Sequence, residues 1–84
     1  MEEYPNLAKA ISLTINFFRK ERQMSKSALA EFAFLERRYL FEIEKELKKP
    51  TLNALYCICE ALNITPMQFF EKLEEIRDSL TKKL

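Results

Sequence analysis

The 84-residue chain contains no glycine and no histidine. Without glycine, phosphate-cradling loops, nucleotide-binding fingerprints and tight left-handed turns lose their usual residue. Without histidine, the commonest metal ligand and general base is missing. Cysteine is scarce: Cys57 and Cys59 are two apart, which on a helix turns their side chains roughly 200° from each other, so they neither pair nor share a metal. They read as buried or half-buried thiols in a reducing cytoplasm. No stretch approaches the ~18 apolar residues of a membrane span. The acidic start, Met1-Glu2-Glu3-Tyr4-Pro5, leads into no long apolar run, against a secretory signal of the usual kind. Glu21, Glu31, Glu36 and Glu44 are carboxylates without a histidine or nucleophile motif to work with, which argues against an enzyme. No cofactor, metal or small-molecule ligand is implied, and a cytoplasmic location is expected.

At a usual domain size of roughly 100 to 200 residues the chain is one domain, with no room for a separate catalytic unit. It is 48% hydrophobic and 32% charged with seven phenylalanines, a composition that folds. The net charge of +1 implies no partner, but the charge is unevenly placed. Residues 19–49 hold nine bases against six acids, while the segments on either side are each at net −1. A polyanion would be drawn to the middle third, although a mixed, solvated surface reads the same way.

Apolar spacing and capping residues give five helices and no strand pattern. Leu7, Ile11, Ile15 and Phe18 share one face of a helix over about residues 7–22. Ser25 caps a short helix from Lys26 to Phe32 with Leu29 inward. A third helix is expected from about Glu36 to Leu47, its inner stripe Leu40, Ile43 and Leu47, stopped by Pro50. Thr51 caps a fourth, about 52–62, with Leu55, Ile58 and Leu62 inward and Asn63 as a left-handed substitute for glycine at its end. Thr65-Pro66-Met67-Gln68 combines a cap, a first-turn proline and a glutamine at the third helical position, a strong start for the fifth helix. Met24, Leu29, Leu40, Ile43, Leu55, Ile58, Leu62 and Ile64 are the expected core.

This register resembles a known family. From Ile15 to Phe70 the chain is similar to the helix-turn-helix domain of lambda-type phage repressors and Cro proteins, a family that includes the small controllers of restriction-modification operons. The resemblance is carried by Ile15, Arg19-Lys20-Glu21, Met24-Ser25, Leu29-Ala30-Glu31, Tyr39-Leu40, Ile43-Glu44, Pro50-Thr51-Leu52, Leu55, Ile58, Ala61 through Thr65, and Phe69-Phe70. It implies an all-α, five-helix lambda repressor-like fold. One domain would cover residues 1–84, with the helix-turn-helix at about 25–47 and a C-terminal helix at about 66–82.

The resemblance places the third helix in the major groove of double-stranded DNA, where Arg37, Arg38 and Glu42 fall at base-reading positions and Lys26 meets a phosphate or base. Lys45, Lys48 and Lys49 would clamp the backbone beside the groove. It also implies that Arg19 and Glu44 pair across the first and third helices, a scaffold contact in which the guanidinium fork can meet the carboxylate with two bonds. Helical geometry puts Arg38, Phe41, Glu42, Lys45 and Lys49 on the outer face. Phe41, where the family usually has a small polar residue, can touch a thymine methyl or a protein partner. Two positions that are commonly glycine hold Phe34 and Glu46. Phe34 must be left-handed, at about 1 to 2 kcal/mol, or sit in a relaxed turn.

The fifth helix carries more apolar surface than one domain needs. With Phe69 and Phe70 closing the core, Leu73, Ile76, Leu80 and Leu84 continue the spacing, and Ala10, Leu13 and Phe17 form a second strip on the first helix. The expected use is a homodimer through Leu13, Phe17, Leu73, Ile76 and Leu80; the alternative is a helix folded back on its own domain. The sequence therefore reads as a homodimeric transcriptional regulator on a palindromic operator. The other reading is a protein-interaction module, antitoxin-like or regulatory, on the same scaffold without base reading.

Overall fold

The structure, a computed structural model, describes residues 2–82. It consists of α1 (Leu7–Glu21), α2 (Lys26–Phe32), α3 (Arg37–Glu44), α4 (Leu52–Ala61) and α5 (Pro66–Thr81), with no strand among the described residues. Three of the five starts are set by side-chain caps. The hydroxyls of Ser25, Thr51 and Thr65 accept the N–H of Ala28, Ala54 and Gln68, each at 3.0 Å. Gln68 Oε1 returns the bond to the Thr65 N–H at 2.8 Å, completing a capping box.

The ends of α1 to α4 share a second device. A residue past each helix turns left-handed: Gln23 (φ 53°), Phe34 (58°), Glu46 (66°) and Asn63 (58°). The following N–H then reaches back five residues, Met24 to Arg19 O, Leu35 to Ala30 O, Leu47 to Glu42 O and Ile64 to Cys59 O, at 2.9 to 3.0 Å. Each closes a Schellman motif, the usual place for glycine, in a chain that has none. Phe34 is therefore strained rather than relaxed.

Leu29, Leu40, Ile43, Ile58, Leu62 and Phe69 are fully buried, along with Ile15. α1 packs along α5 and against α3; α2 lies against α3 and α4. Phe18 and Phe69 stack with ring centroids 6.5 Å apart, joining the first and last helices. Arg22 Nε donates to Leu62 O at 2.8 Å, so the end of α1 also closes the end of α4.

Four expectations are corrected. Leu47 is 70% exposed, because the left-handed Glu46 ends α3 at Glu44 and turns the chain away before Leu47 can face inward. Leu73, expected on a dimer surface, is 4% exposed, because α5 folds back along α1 and takes it into the core. Ala10 is buried on the same account. Phe70 packs edge-on to the buried Phe69, ring centroids 5.9 Å apart, but lies outside the core and remains 41% exposed. Leu13 and Phe17 do stay partly exposed, while Ile76 and Leu80 are half-buried against the core. Leu84 lies outside the described residues.

Candidate nucleic-acid interface

α3 presents its first turn outward. Its N-cap, Glu36, makes no side-chain cap bond, and Arg37 and Arg38 follow it fully on the surface. Leu40 and Ile43 fix this orientation by filling the core from the opposite side. At the C-terminal end the helix is anchored: Ser12 Oγ donates to Glu44 O at 2.6 Å, and Arg19 Nε lies 3.6 Å from Glu44 Oε2.

The Arg19–Glu44 pair is buried, with side chains 12% and 4% exposed, but it differs from the two-bond fork expected. Its Nε and Oε2 make no hydrogen bond. One arm of the guanidinium donates to Met24 O at 2.9 Å and the other to Asn16 Oδ1, so the arginine also closes the end of α1. Burial raises the Glu44 carboxyl above the usual carboxylate range, opposed by the charges of Arg19 and then Lys26. A cation at the start of α2 thus acts on the carboxylate that anchors α3.

Six of the eight candidate DNA-facing residues fall into two groups. Lys26 Nζ and Arg37 Cζ lie 5.8 and 5.9 Å from the centroid of Phe41, so the first residues of α2 and α3 converge on one half-buried ring. Beside them, Glu42 stands between Arg38 (3.6 Å) and Lys48 (3.4 Å). Lys45, the C-cap of α3, is exposed. Lys48 and Lys49 follow the helix in the loop to α4, and Lys49 does not share the outer face of α3: its ammonium bonds Glu3 at 2.5 Å.

Sequence spacing gave no sign of that last contact, which spans 46 positions; the acidic start of the chain was its one visible trace. Tyr39 was missed as well: its hydroxyl accepts the Thr51 N–H at 3.1 Å and so ties α3 to the start of α4. At Cys59, burial pushes the thiol up to about 11, a protonated and unreactive group at neutral pH. No group of three metal-ligating side chains occurs among the described residues, and no described helix is long and apolar enough to cross a membrane.

A family profile described as the Cro/C1-type HTH DNA-binding domain matches residues 7–73, from the start of α1 into α5. Over 50 residues, 60% of its length, the chain is 42% identical to an immunity repressor protein of Bacillus phage phi105; it spans about a third (35%) of that relative. A point variant of the restriction-modification controller protein C.Esp1396I has the same fold with a TM-score of 0.82 at 27% identity, both chains being covered in full. The same controller, as a tetramer in complex with its natural 35 base-pair operator, matches with a TM-score of 0.80 at 29% identity over 90% of this chain and 97% of that one. The clp gene regulator ClgR from Corynebacterium glutamicum shares the fold, at a TM-score of 0.85 and 22% identity, over 94% and 84% of the two chains.

Proposed function

The chain belongs to the family of Cro/C1-type helix-turn-helix DNA-binding domains, and from that premise we propose that it is a sequence-specific transcriptional regulator that binds a palindromic operator as a homodimer. The observation that carries this reading is the outer face of α3, where Arg37 and Arg38 stand exposed and Lys26 joins Arg37 at the Phe41 ring. An exposed arginine in the major groove suits the O6 and N7 of guanine, and Phe41 suits a thymine methyl. Lys26, Lys45, Lys48 and Lys49 supply phosphate contacts, with Lys49 first released by Glu3. The operator-bound relative of the same fold supports this placement.

In the dimer, Leu13 and Phe17 of α1 meet their mates together with Ile76 and Leu80 of α5. Phe17 is 37% exposed and Leu13 39%. Each such side chain contributes up to roughly 1.5 to 3 kcal/mol on burial, and several from both protomers are needed against an association cost of about 4 to 15 kcal/mol. The two copies of α3 would then lie about 34 Å apart, one turn of B-DNA. Leu13→Glu leaves the core intact and should give a helical monomer with weak DNA affinity; a variant that still dimerises in sedimentation would exclude α1 from the interface.

Binding to DNA from the protein's own upstream region tests the whole reading. If a dimer neutralises about 6 to 10 phosphates, affinity should fall ~10³ to 10⁵-fold between 50 and 200 mM salt. Phe34, 94% exposed in the turn before α3, with Phe32 59% exposed beside it, favours the second reading of a protein-interaction module. That reading becomes the better one if no duplex is retarded even at low salt.

A further inference from the structure

We infer that Glu42 sets the selectivity of this surface by holding a base-reading arginine and a phosphate-seeking lysine away from unmatched DNA, an inference that rests on the DNA-binding reading above. The two oxygens of one carboxylate serve two cations: Oε2 is 3.6 Å from Arg38 Nε, and Oε1 is 3.4 Å from Lys48 Nζ. The Glu42 side chain is 24% exposed, against 90% for Arg38 and 57% for Lys48. The carboxylate is thus the sheltered partner, and the two cations are the ones free to leave. Leaving is easy, since both distances exceed those of a strong charged hydrogen bond. Within α3, moreover, the arginine precedes the glutamate by four residues, the weaker order of such a pair.

A duplex of any sequence offers phosphates to both cations, and attraction of that kind makes up essentially all non-specific binding. Glu42 competes with it directly. On an unmatched sequence Arg38 and Lys48 are shared between the carboxylate and the phosphates, and two phosphate contacts per protomer are only partly made. A guanine in register changes the competition for Arg38, because a bidentate contact to O6 and N7 is worth roughly ten- to hundredfold in discrimination. Glu42 then keeps only Lys48. The other cationic group, Lys26 and Arg37 against Phe41, makes no ion pair among the described residues and supplies the attraction that brings any duplex close. As a reader of cytosine N4, Glu42 would instead commit one of these oxygens to the base and give up the cation it holds.

The test compares wild type with Glu42→Gln on two probes: the duplex that the wild-type protein enriches from a randomised pool, and a scrambled duplex of equal length and composition. At 100 mM salt the variant should bind the scrambled duplex about tenfold more tightly and the enriched one no more than about threefold, so that selectivity falls. Its salt dependence on the scrambled duplex should steepen by about 1 to 2 per protomer. In an Arg38→Met, Lys48→Met background the same substitution should have little effect on the scrambled duplex. Circular dichroism should show unchanged helicity throughout. The inference is overturned if the variant loses the enriched duplex with an altered base preference, which would make Glu42 a base reader. It is overturned equally if selectivity does not change, or if the tenfold gain persists in the double-variant background. A wild-type protein that enriches no duplex would overturn the DNA-binding reading and this inference together.

Discussion

The two ends of α3 are built on opposite principles. At its C-terminal end, Glu44 is buried, Arg19 and Ser12 reach it from α1, and a Schellman motif closes the backbone. At its N-terminal end no side chain caps the helix, two arginines stand in solvent, and the preceding turn holds a fully exposed phenylalanine in a left-handed conformation. One end sets the angle at which the helix projects, and the other keeps its cations in weak, exposed contacts. Substitutions at the anchored end should therefore act on stability, and substitutions at the open end on binding.

The largest effect is expected from Arg19→Ala. It removes the nearest cation from a buried carboxylate and takes two hydrogen bonds from the end of α1. Breaking one side of a buried pair costs about 3 to 5 kcal/mol, which in a domain of this size lowers the midpoint of thermal unfolding by on the order of 20 °C. Arg19→Met with Glu44→Leu should recover much of that, because replacing both charges with apolar groups leaves neither unpaired. If Arg19→Ala melts within a few degrees of wild type, α3 is not anchored in this way.

At the open end, Arg38→Ala should leave thermal stability unchanged to within about 0.5 kcal/mol, since the side chain is exposed and its ion pair weak. Its effect should be on recognition, a loss of about 1 to 3 kcal/mol confined to one base position. Lys45→Ala should weaken all sequences alike. A uniform loss from Arg38→Ala would turn this arginine into a second phosphate clamp and blur the contrast between the ends.

What was legible in the sequence follows the same division. Helix starts were, because capping is chemistry within three or four residues: Ser25, Thr51 and the Thr65–Gln68 box all sit where their spacing put them. The left-handed position of Asn63 was visible for the same local reason. Leu47 was misjudged because periodicity continued through a backbone turn that it cannot register. Leu73 was misjudged because the phase of an apolar stripe shows that a face is covered and not by what; here the cover is α1 of the same chain. The residues of the candidate surface could be named one by one. Half of each pairing is local, Arg37 with Phe41 and Arg38 with Glu42 being four apart on α3; the other halves, Lys26 on Phe41 and Lys48 on Glu42, come from α2 and from the loop after α3, which helical spacing does not show.

A smaller effect should come from Phe34→Gly, which tests the turn that leads into the open end. A bulky residue in the left-handed region carries about 1 to 2 kcal/mol of strain, offset in part by the backbone entropy that glycine loses on folding. The net expectation is a gain of about 0.5 to 1 kcal/mol in urea unfolding. Asn63→Gly makes the same change at a turn of the same geometry and should gain only a few tenths, because asparagine tolerates this conformation. Equal gains at the two turns would mean that Phe34 is no more strained than Asn63. With DNA as the partner, Phe34→Gly should bind as wild type does.

Acid should act on the anchored end, as a slope of stability against pH. The Glu44 carboxyl is raised above the ordinary carboxylate value, by burial first and against the opposing charges of Arg19 and Lys26. The folded protein therefore holds this proton more tightly than the unfolded chain does. The stability contributed is fully present below the ordinary carboxylate pKa and is lost as pH rises through the raised value in the folded state. Glu44→Gln keeps the shape of the protonated side chain and cannot titrate. Its stability should consequently lie nearest to that of wild type at about pH 4 and should gain on wild type as the pH is raised to 7. Chemical unfolding of both proteins at several pH values gives the difference directly. A wild-type protein that instead gains on the variant with rising pH would mean that the Arg19 charge outweighs burial, and that the pair holds α3 by attraction more than by exclusion of water.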